Sequence, residues 1–354
     1  MEAKPSANEA AAVVAAAVDG DEAAFERLFQ RHRRELQVHC YRMLGSLEDS
    51  EDLLQETFLR AWRARATFSS AGPRASFRAW LYRIATNACL DALQHKPRRV
   101  LASQLGPPAD PLDVPEPRTA DLPWLQPYPD HLLEGIAPSD EQPESVAIAR
   151  ETVEIAFLAT LQLLPPRQRA VLIMRDVLGW SAKDTAALFE TSVASANSAL
   201  QRARATLQEH LPERRADWAP STDPSWEERA VLQRFMDAFE RADMDAIAEL
   251  LHEDVRATMP PYPFWFHGRE ANVTAMAHGF DRESPHYMGE WRAVPTGSNM
   301  QPAAAFYIRP PGESEFRAFA IDVFRIEEGK VSEITSFVTE GFDAFPAFGL
   351  PPTL

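Results

Sequence analysis

Asp49-Ser50-Glu51-Asp52-Leu53-Leu54-Gln55-Glu56-Thr57-Phe58-Leu59-Arg60-Ala61-Trp62 is the stretch on which the reading of this chain turns. Leu54, Phe58 and Trp62 recur every four residues, the spacing that lines one side of a helix. Asp52, Gln55 and Glu56 cluster on another face. Such an acid–amide patch suits a basic helical partner; a merely solvated polar face is the plain alternative. The same helical period extends to both sides. Upstream it carries Phe25, Leu28 and Phe29. Downstream, Phe77-Arg78-Ala79-Trp80-Leu81-Tyr82-Arg83-Ile84-Ala85-Thr86-Asn87-Ala88 puts Phe77, Leu81, Ile84 and Ala88 on a core face. Arg78, Tyr82, Arg83 and Asn87 fall off that face. Gly45-Ser46 and the loop from Ser69 to Pro73 separate the helices. Residues 24–100 therefore read as a helical bundle, preceded by an extension over 1–23.

The period is lost over residues 101–144, where Pro, Asp and Leu dominate. Leu122-Pro123-Trp124-Leu125-Gln126-Pro127-Tyr128-Pro129 stands out in this linker, because a flexible spacer has no need of a Trp. Two readings stay open. The segment is either a preorganised extended ligand for a groove, or Trp124 covers a local apolar patch. Helices return over 145–212. Pro165-Pro166 suits a helix start, Gly179 an end, and Ser181 with Asp184 a capping box. A further helix is expected over Val193–Leu207, giving a helix–turn–helix. From Trp226 two helices lead into alternating stretches at Trp291–Pro295, Ala303–Arg309, Phe316–Ile326 and Val331–Val338, with Glu328-Gly329 as a hairpin turn. Residues 222–347 thus read as an α+β domain with a curved antiparallel sheet, following two all-α modules.

The 354 residues carry a net charge of −16, which taken whole argues against nucleic acid. The distribution is uneven: residues 24–100 are net +6 and 150–216 net +2, while 101–149 are net −8 and 217–354 net −12. Phosphate binding belongs in the two basic modules. The two cysteines, Cys40 and Cys89, form no Cys-x-x-Cys pair and read as buried thiols of a reducing compartment. No apolar run reaches the ~20 residues that span a bilayer. The Ala-rich run from Ala10 to Val18 lacks a basic leader. A cytoplasmic protein without membrane contact is expected.

Residues 24–97 resemble region 2 of the sigma-70 family, in its extracytoplasmic-function branch. Glu51–Phe58 is similar to the stretch that docks on the coiled coil of the polymerase β′ subunit, which implies that role for Asp52, Gln55 and Glu56. Phe77–Ala88 is similar to the promoter-melting helix, which implies contacts of Arg78, Tyr82, Arg83 and Asn87 with the −10 element, and capture of a flipped base by the preceding loop, Thr67–Ala75. Ser181–Leu207 resembles region 4, which reads the −35 element and meets the β flap. Ser195, Asn197, Ser198 and Gln201 are suited to base edges, and Arg202 and Arg204 to phosphates. The sequence departs from the family's pattern at Asn197 and Ala199, where Lys and Arg are usual, and at Glu190, where Gly is usual.

Residues 225–346 resemble a SnoaL-like domain, of the nuclear-transport-factor-2-like fold, carried on Phe266-His267-Gly268-Arg269-Glu270 and Lys330-Val331-Ser332-Glu333-Ile334. The resemblance implies a cone around a pocket, for which Asp254, Trp265, His267 and Trp291 are candidates, with a small apolar ligand. Asp254 and His267 as an acid–base pair would make the domain an enzyme; otherwise it is a regulator without chemistry. In similar sigma factors such a domain touches both sigma modules and the linker, which implies a regulatory role for Trp124, Pro127 and Tyr128. The reading is therefore a non-enzymatic sigma factor that brings core polymerase to promoter DNA, with no metal or cofactor. Its rivals are a ligand-sensing helix–turn–helix regulator and a SnoaL-like enzyme fused to DNA-binding modules.

Overall fold

Helix boundaries follow from the capping residues. In the computed structural model, residues 7–68, 76–112, 122–133, 153–210, 224–340 and 342–354 are described. They divide into two units. One holds the residues up to Arg98, Leu132 with Leu133, and those from Thr160 to 210; the other holds Arg99–His131, Val153–Ala159 and the residues from 224 onward.

In the first unit, α1 (Ala7–Asp19) is followed by α2 (Glu22–Leu44), whose N-cap Asp21 accepts from the Ala24 amide. Gly45 ends α2 with φ 68°, a left-handed cap that favours glycine. Ser46 then caps α3 (Leu47–Ala64), and Ser76 caps α4 (Phe77–Leu93). The Phe25 ring packs edge-on against Phe58, Trp62 and Phe77, at centroid distances of 5.6, 5.2 and 5.8 Å. The apolar stripe of α3 and the predicted core face of α4 thus meet on α2. Cys40 and Cys89 are both buried and reduced. The hydrogen bond that the Cys89 thiol makes to Cys40, together with burial, pushes that thiol well above its usual range.

Further along come α5 (Ile155–Leu163) and α6 (Pro166–Leu172), the latter with proline in its first turn. One wider turn, Ile173–Val177, extends α6 before Gly179 reverses the chain at φ 67°. α7 (Ala182–Leu188), capped by Ser181, and α8 (Val193–His210) form the helix–turn–helix. Ala196, Leu200, Ala203 and Leu207 are the buried side of α8.

The second unit is built on a six-stranded sheet in the order β2-β1-β6-β5-β4-β3. Its elements are α9 (Trp226–Glu240), α10 (Met244–Leu250), β1 (Leu251–Thr258), β2 (Trp265–His267), α11 (Arg269–Phe280), β3 (Glu290–Ser298), β4 (Gln301–Arg309), β5 (Arg317–Glu327) and β6 (Lys330–Val338). β1 pairs in parallel with β6, so the sheet is mixed rather than wholly antiparallel as expected. A parallel pair needs a long crossover connection, and here everything from β2 to β5 intervenes. Glu328-Gly329 makes the expected turn, with φ 51° and 73°. Asn299 and Met300 make the other hairpin turn, also both at positive φ.

One sheet face carries Phe306, Phe324, Trp291 and Ile334 against Phe235 and Phe239 of α9. The opposite face carries Ala305, Tyr307 and Ile321, covered by Ala344, Phe345 and Phe348 of the C-terminal segment. The Tyr307 hydroxyl donates to the Pro351 carbonyl at 2.9 Å, tying that segment down.

Candidate nucleic-acid interface and linker

On α3, Asp52 and Gln55 are exposed and Glu56 is half-buried. Glu56 accepts from Arg60 at 2.8 Å, and Arg60 in turn donates to Asp91 of α4 at 2.7 Å. Leu59, 44% exposed, lies on the same face, at i+3 and i+4 from Glu56 and Gln55. The face is therefore acidic around an apolar centre. An unpartnered apolar residue within a polar helical face was the signal available for it.

The α4 residues behave less uniformly than their common spacing implies. Arg78 donates to Glu35 at 2.7 Å, and the Tyr82 hydroxyl donates to the same oxygen at 3.1 Å. The guanidinium also stacks 4.9 Å from the Tyr82 ring centroid. Burial alone would raise the Glu35 carboxyl, but hydrogen bonds from His32 and Arg78 hold it below its usual range. Tyr82 is 1% exposed, with its ring edge-on to His39 at 5.1 Å and to Trp180 at 6.2 Å. Burial, then the neighbouring Glu35 charge, push its hydroxyl up. Tyr82 therefore lies in the core rather than off the core face as its spacing implies, because its ring and its hydroxyl are both occupied inside the bundle. Arg78 is likewise engaged internally. Arg83 and Asn87 face solvent. Arg83 lies 3.6 Å from Glu190, the residue in the helix–turn–helix turn. Most of the Thr67–Ala75 loop lies outside the described residues.

On α8, Ser195, Asn197, Ser198, Gln201 and Arg202 are all exposed. Arg204 is also exposed but makes a two-pronged pair with Asp176, at 2.7 and 2.9 Å. As a phosphate contact it has first to release that partner. Glu190 adopts φ 50° in the turn, the conformation that glycine takes most easily.

The linker segment Trp124–Pro129 is buried throughout, in the unit that holds the C-terminal domain. Its Trp124 joins Val100, Ala102 and Trp265 in one apolar cluster. The Val100 amide donates to Pro123 at 2.9 Å, and the Leu125 amide returns to Val100 at 3.1 Å. Further on, the Tyr128 amide donates to Asn299 Oδ1 at 2.8 Å, and the Asn299 amide donates to the Tyr128 carbonyl at 2.9 Å. Asp130 Oδ1 accepts from the Met300 amide at 2.8 Å. Gly297 permits this approach: a Cβ there would lie 2.6 Å from Asp130 Oδ2. Trp124 thus covers a local apolar patch, and the extended segment after it lies against the turn between β3 and β4.

The four candidate pocket residues are not brought together. Asp254 and His267 are exposed, and the Asp254 amide donates to His252 Nδ1 at 3.2 Å; no acid–base pair forms. Both are at outward positions of edge-ward strands. Trp265 serves the linker, with its indole N–H donating to Gly106 at 2.9 Å. Only Trp291 is interior, ringed by Phe239, Phe280 and Phe319 at 5.4, 6.2 and 5.0 Å. The interior acid is instead Asp322 of β5, opposite Ala304 and Ser336. Ser336 is its hydrogen-bond partner, and Oδ1 has none. Burial pushes its carboxyl up to about 7. An acid in the alternating run Ala320–Phe324 was the sequence signal for it. Among the described residues no three His, Cys, Asp or Glu side chains converge as metal ligands, and no helix is long and apolar enough to cross a membrane.

Residues 28–99 match the family model of sigma-70 region 2, residues 154–207 that of sigma-70 region 4, and residues 232–334 that of the SnoaL-like domain. The chain is 42% identical to the ECF RNA polymerase sigma factor SigG of Mycobacterium tuberculosis over 325 residues, covering 91% of this chain and 83% of SigG. It is 29% identical to SigJ of the same organism over 232 residues, 65% of this chain and 63% of SigJ. The crystal structure of M. tuberculosis SigJ shares the fold, with a TM-score of 0.58 at 20% identity, over 92% of this chain and 99% of that one. Two sigma modules in family order, the SnoaL-like domain behind them and the likeness to SigG along nearly the whole chain lead to one conclusion: this protein belongs to the extracytoplasmic-function sigma factors, which direct RNA polymerase core to promoters.

Proposed function

We propose that the C-terminal domain regulates this sigma factor by holding its linker. The observation that carries this is the reciprocal pair between Tyr128 and Asn299, flanked by the Asp130–Met300 contact. The linker joins the module that meets the −10 element to the module that meets the −35 element. A domain that fixes the linker's path governs how far those modules can separate. Asp52, Gln55 and Glu56, with Leu59 at their centre, bind the β′ coiled coil. Arg83 and Asn87 contact the −10 region, and α8 enters the −35 major groove while its module meets the β flap. The exposure of Asp254 and His267 favours a regulator without chemistry over an enzyme. The aromatic filling around Trp291 points the same way.

Transcription in vitro with purified core polymerase tests this on the full chain. Asn299→Ala removes the acceptor for the Tyr128 amide and the donor to the Val153 carbonyl. Gly297→Ala drives a methyl into Asp130. Both variants are expected to change initiation severalfold in the same direction, with faster amide exchange at Tyr128. Exchange that accelerates while initiation stays at the wild-type level sinks the regulatory reading.

A further inference from the structure

The exposed face of α8 carries a pattern that the family resemblance does not supply. Val193, Asn197 and Gln201 stand four residues apart, so they share one face within an arc of about 80°. All three are exposed. Val193, at 43%, is a large apolar side chain turned to solvent at the start of the helix. Between Val193 and Gln201 there is no Lys or Arg. The buried side of the helix, through Ala196, Leu200 and Ala203, holds this face outward.

Each member of the stripe has a specific partner in a major groove. A carboxamide pairs in two-pronged fashion with adenine N7 and N6. An apolar side chain packs on the thymine methyl. Guanine, by contrast, presents two acceptors and calls for Arg or Lys. Ser198 beside the stripe accommodates any base. Recognition helices contact base edges through their N-terminal residues, and the stripe occupies the N-terminal half of α8. Asn197 and Gln201 are about 6 Å apart along the axis, a span of roughly two base-pair steps.

We propose that Val193, Asn197 and Gln201 read A·T base pairs of the −35 element, as specificity-determining residues. This rests on the reading of α8 as the −35 helix. Arg202, at the end of the stripe, contributes a phosphate contact without base preference. Arg204 is engaged by Asp176 and takes no part in base reading.

The test is run-off transcription by the full chain with core polymerase, from a promoter library randomised across the −35 element, with the successful templates sequenced. The wild-type protein is expected to enrich A·T pairs at two or three positions of the element. Asn197→Ala and Gln201→Ala are each expected to relax one position, by roughly 5- to 150-fold in preference. Asn197→Arg is expected to move its position toward guanine. Arg202→Ala is expected to lower output evenly across sequences. Enrichment of G·C pairs at these positions, or unchanged preferences in both alanine variants, overturns the assignment while leaving the sigma reading intact. Failure to initiate at any template overturns both, and is the one outcome that reaches the parent reading.

Discussion

Arg169 in the helical unit and Asp322 in the sheet unit are both ionisable and both buried, at 2% and 8% exposure, yet their surroundings treat them in opposite ways. Arg169 Nη1 donates to the Met43 carbonyl and to Gln162 Oε1, and Nη2 to the carbonyls of Gln162 and Leu164 at 3.0 and 3.2 Å. Burial pulls its pKa down only to about 10, so it stays charged at neutral pH. The arginine also has a purpose on the acceptor side. The last carbonyls of a helix have no partner within it, and α2 ends at Leu44. The guanidinium from α6 fills that need at Met43, while the Gln162 side-chain Nε2 donates to the Arg42 carbonyl at 3.4 Å. Among the described residues Asp322 has Ser336 as its hydrogen-bond partner and no cation beside it. A buried charge is held by donors and acceptors arranged for it; without them the group moves toward its neutral form.

Removing Arg169 should have the largest effect on this contrast. Arg169→Ala leaves three carbonyls and a side-chain amide oxygen facing an apolar void, and is expected to cost about 3–5 kcal/mol. Denaturant unfolding followed by helical circular dichroism measures it. A loss below about 1 kcal/mol would show that water replaces the guanidinium without penalty.

Asp322→Asn should act in the opposite direction, and only at higher pH. The folded-state pKa, about 7, lies above the ordinary 3.8. The folded state therefore binds the proton more tightly, and stability falls as pH rises from about 4 to 7 and stays reduced above that. The amide removes that penalty, so the substitution should stabilise the protein by about 1–3 kcal/mol at pH 8. At pH 4 the gain should be close to nil. Thermal melts of both forms at the two pH values decide it, and an equal shift at both would mean that the carboxyl does not titrate in this window.

The smallest effect belongs to the exposed counterpart of these buried groups. Glu190 pairs with Arg83 at 3.6 Å with both side chains largely in water, so the pair is worth little. Its φ of 50° carries the larger cost. Glu190→Gly is expected to raise stability by up to about 1 kcal/mol. A clear loss in the melting temperature would assign real strength to the surface pair.

These contrasts also mark how far the sequence could be read. Periodicity identified the apolar stripe of α3 and most of the core face of α4, because each helix buries one side and the spacing records it. It also pointed to the capped starts at Ser181 and Pro166 and the hairpin at Glu328-Gly329, since these depend on residues adjacent in the chain. The same reading put Tyr82 with Arg83 and Asn87, off the α4 face. Spacing along one helix does not report Glu35, which belongs to α2 and occupies both Tyr82 and Arg78.

The candidate pocket residues stay apart for a related reason. Asp254 and His267 are polar residues among aromatics in the sequence, but strand alternation turns them outward. Asp322 lay unnoticed in an apolar run because its neighbour, Ser336, comes from the next strand. Local spacing along the chain was enough to establish the order of modules, the helix–turn–helix and the chemistry displayed on the outer face of α8. It could not establish which charged and polar groups are neutralised, which are left short of partners, or where the linker is held. Those outcomes belong to the folded molecule, because they depend on side chains brought together from distant parts of the chain, such as Tyr128 and Asn299, and on the water excluded when they meet.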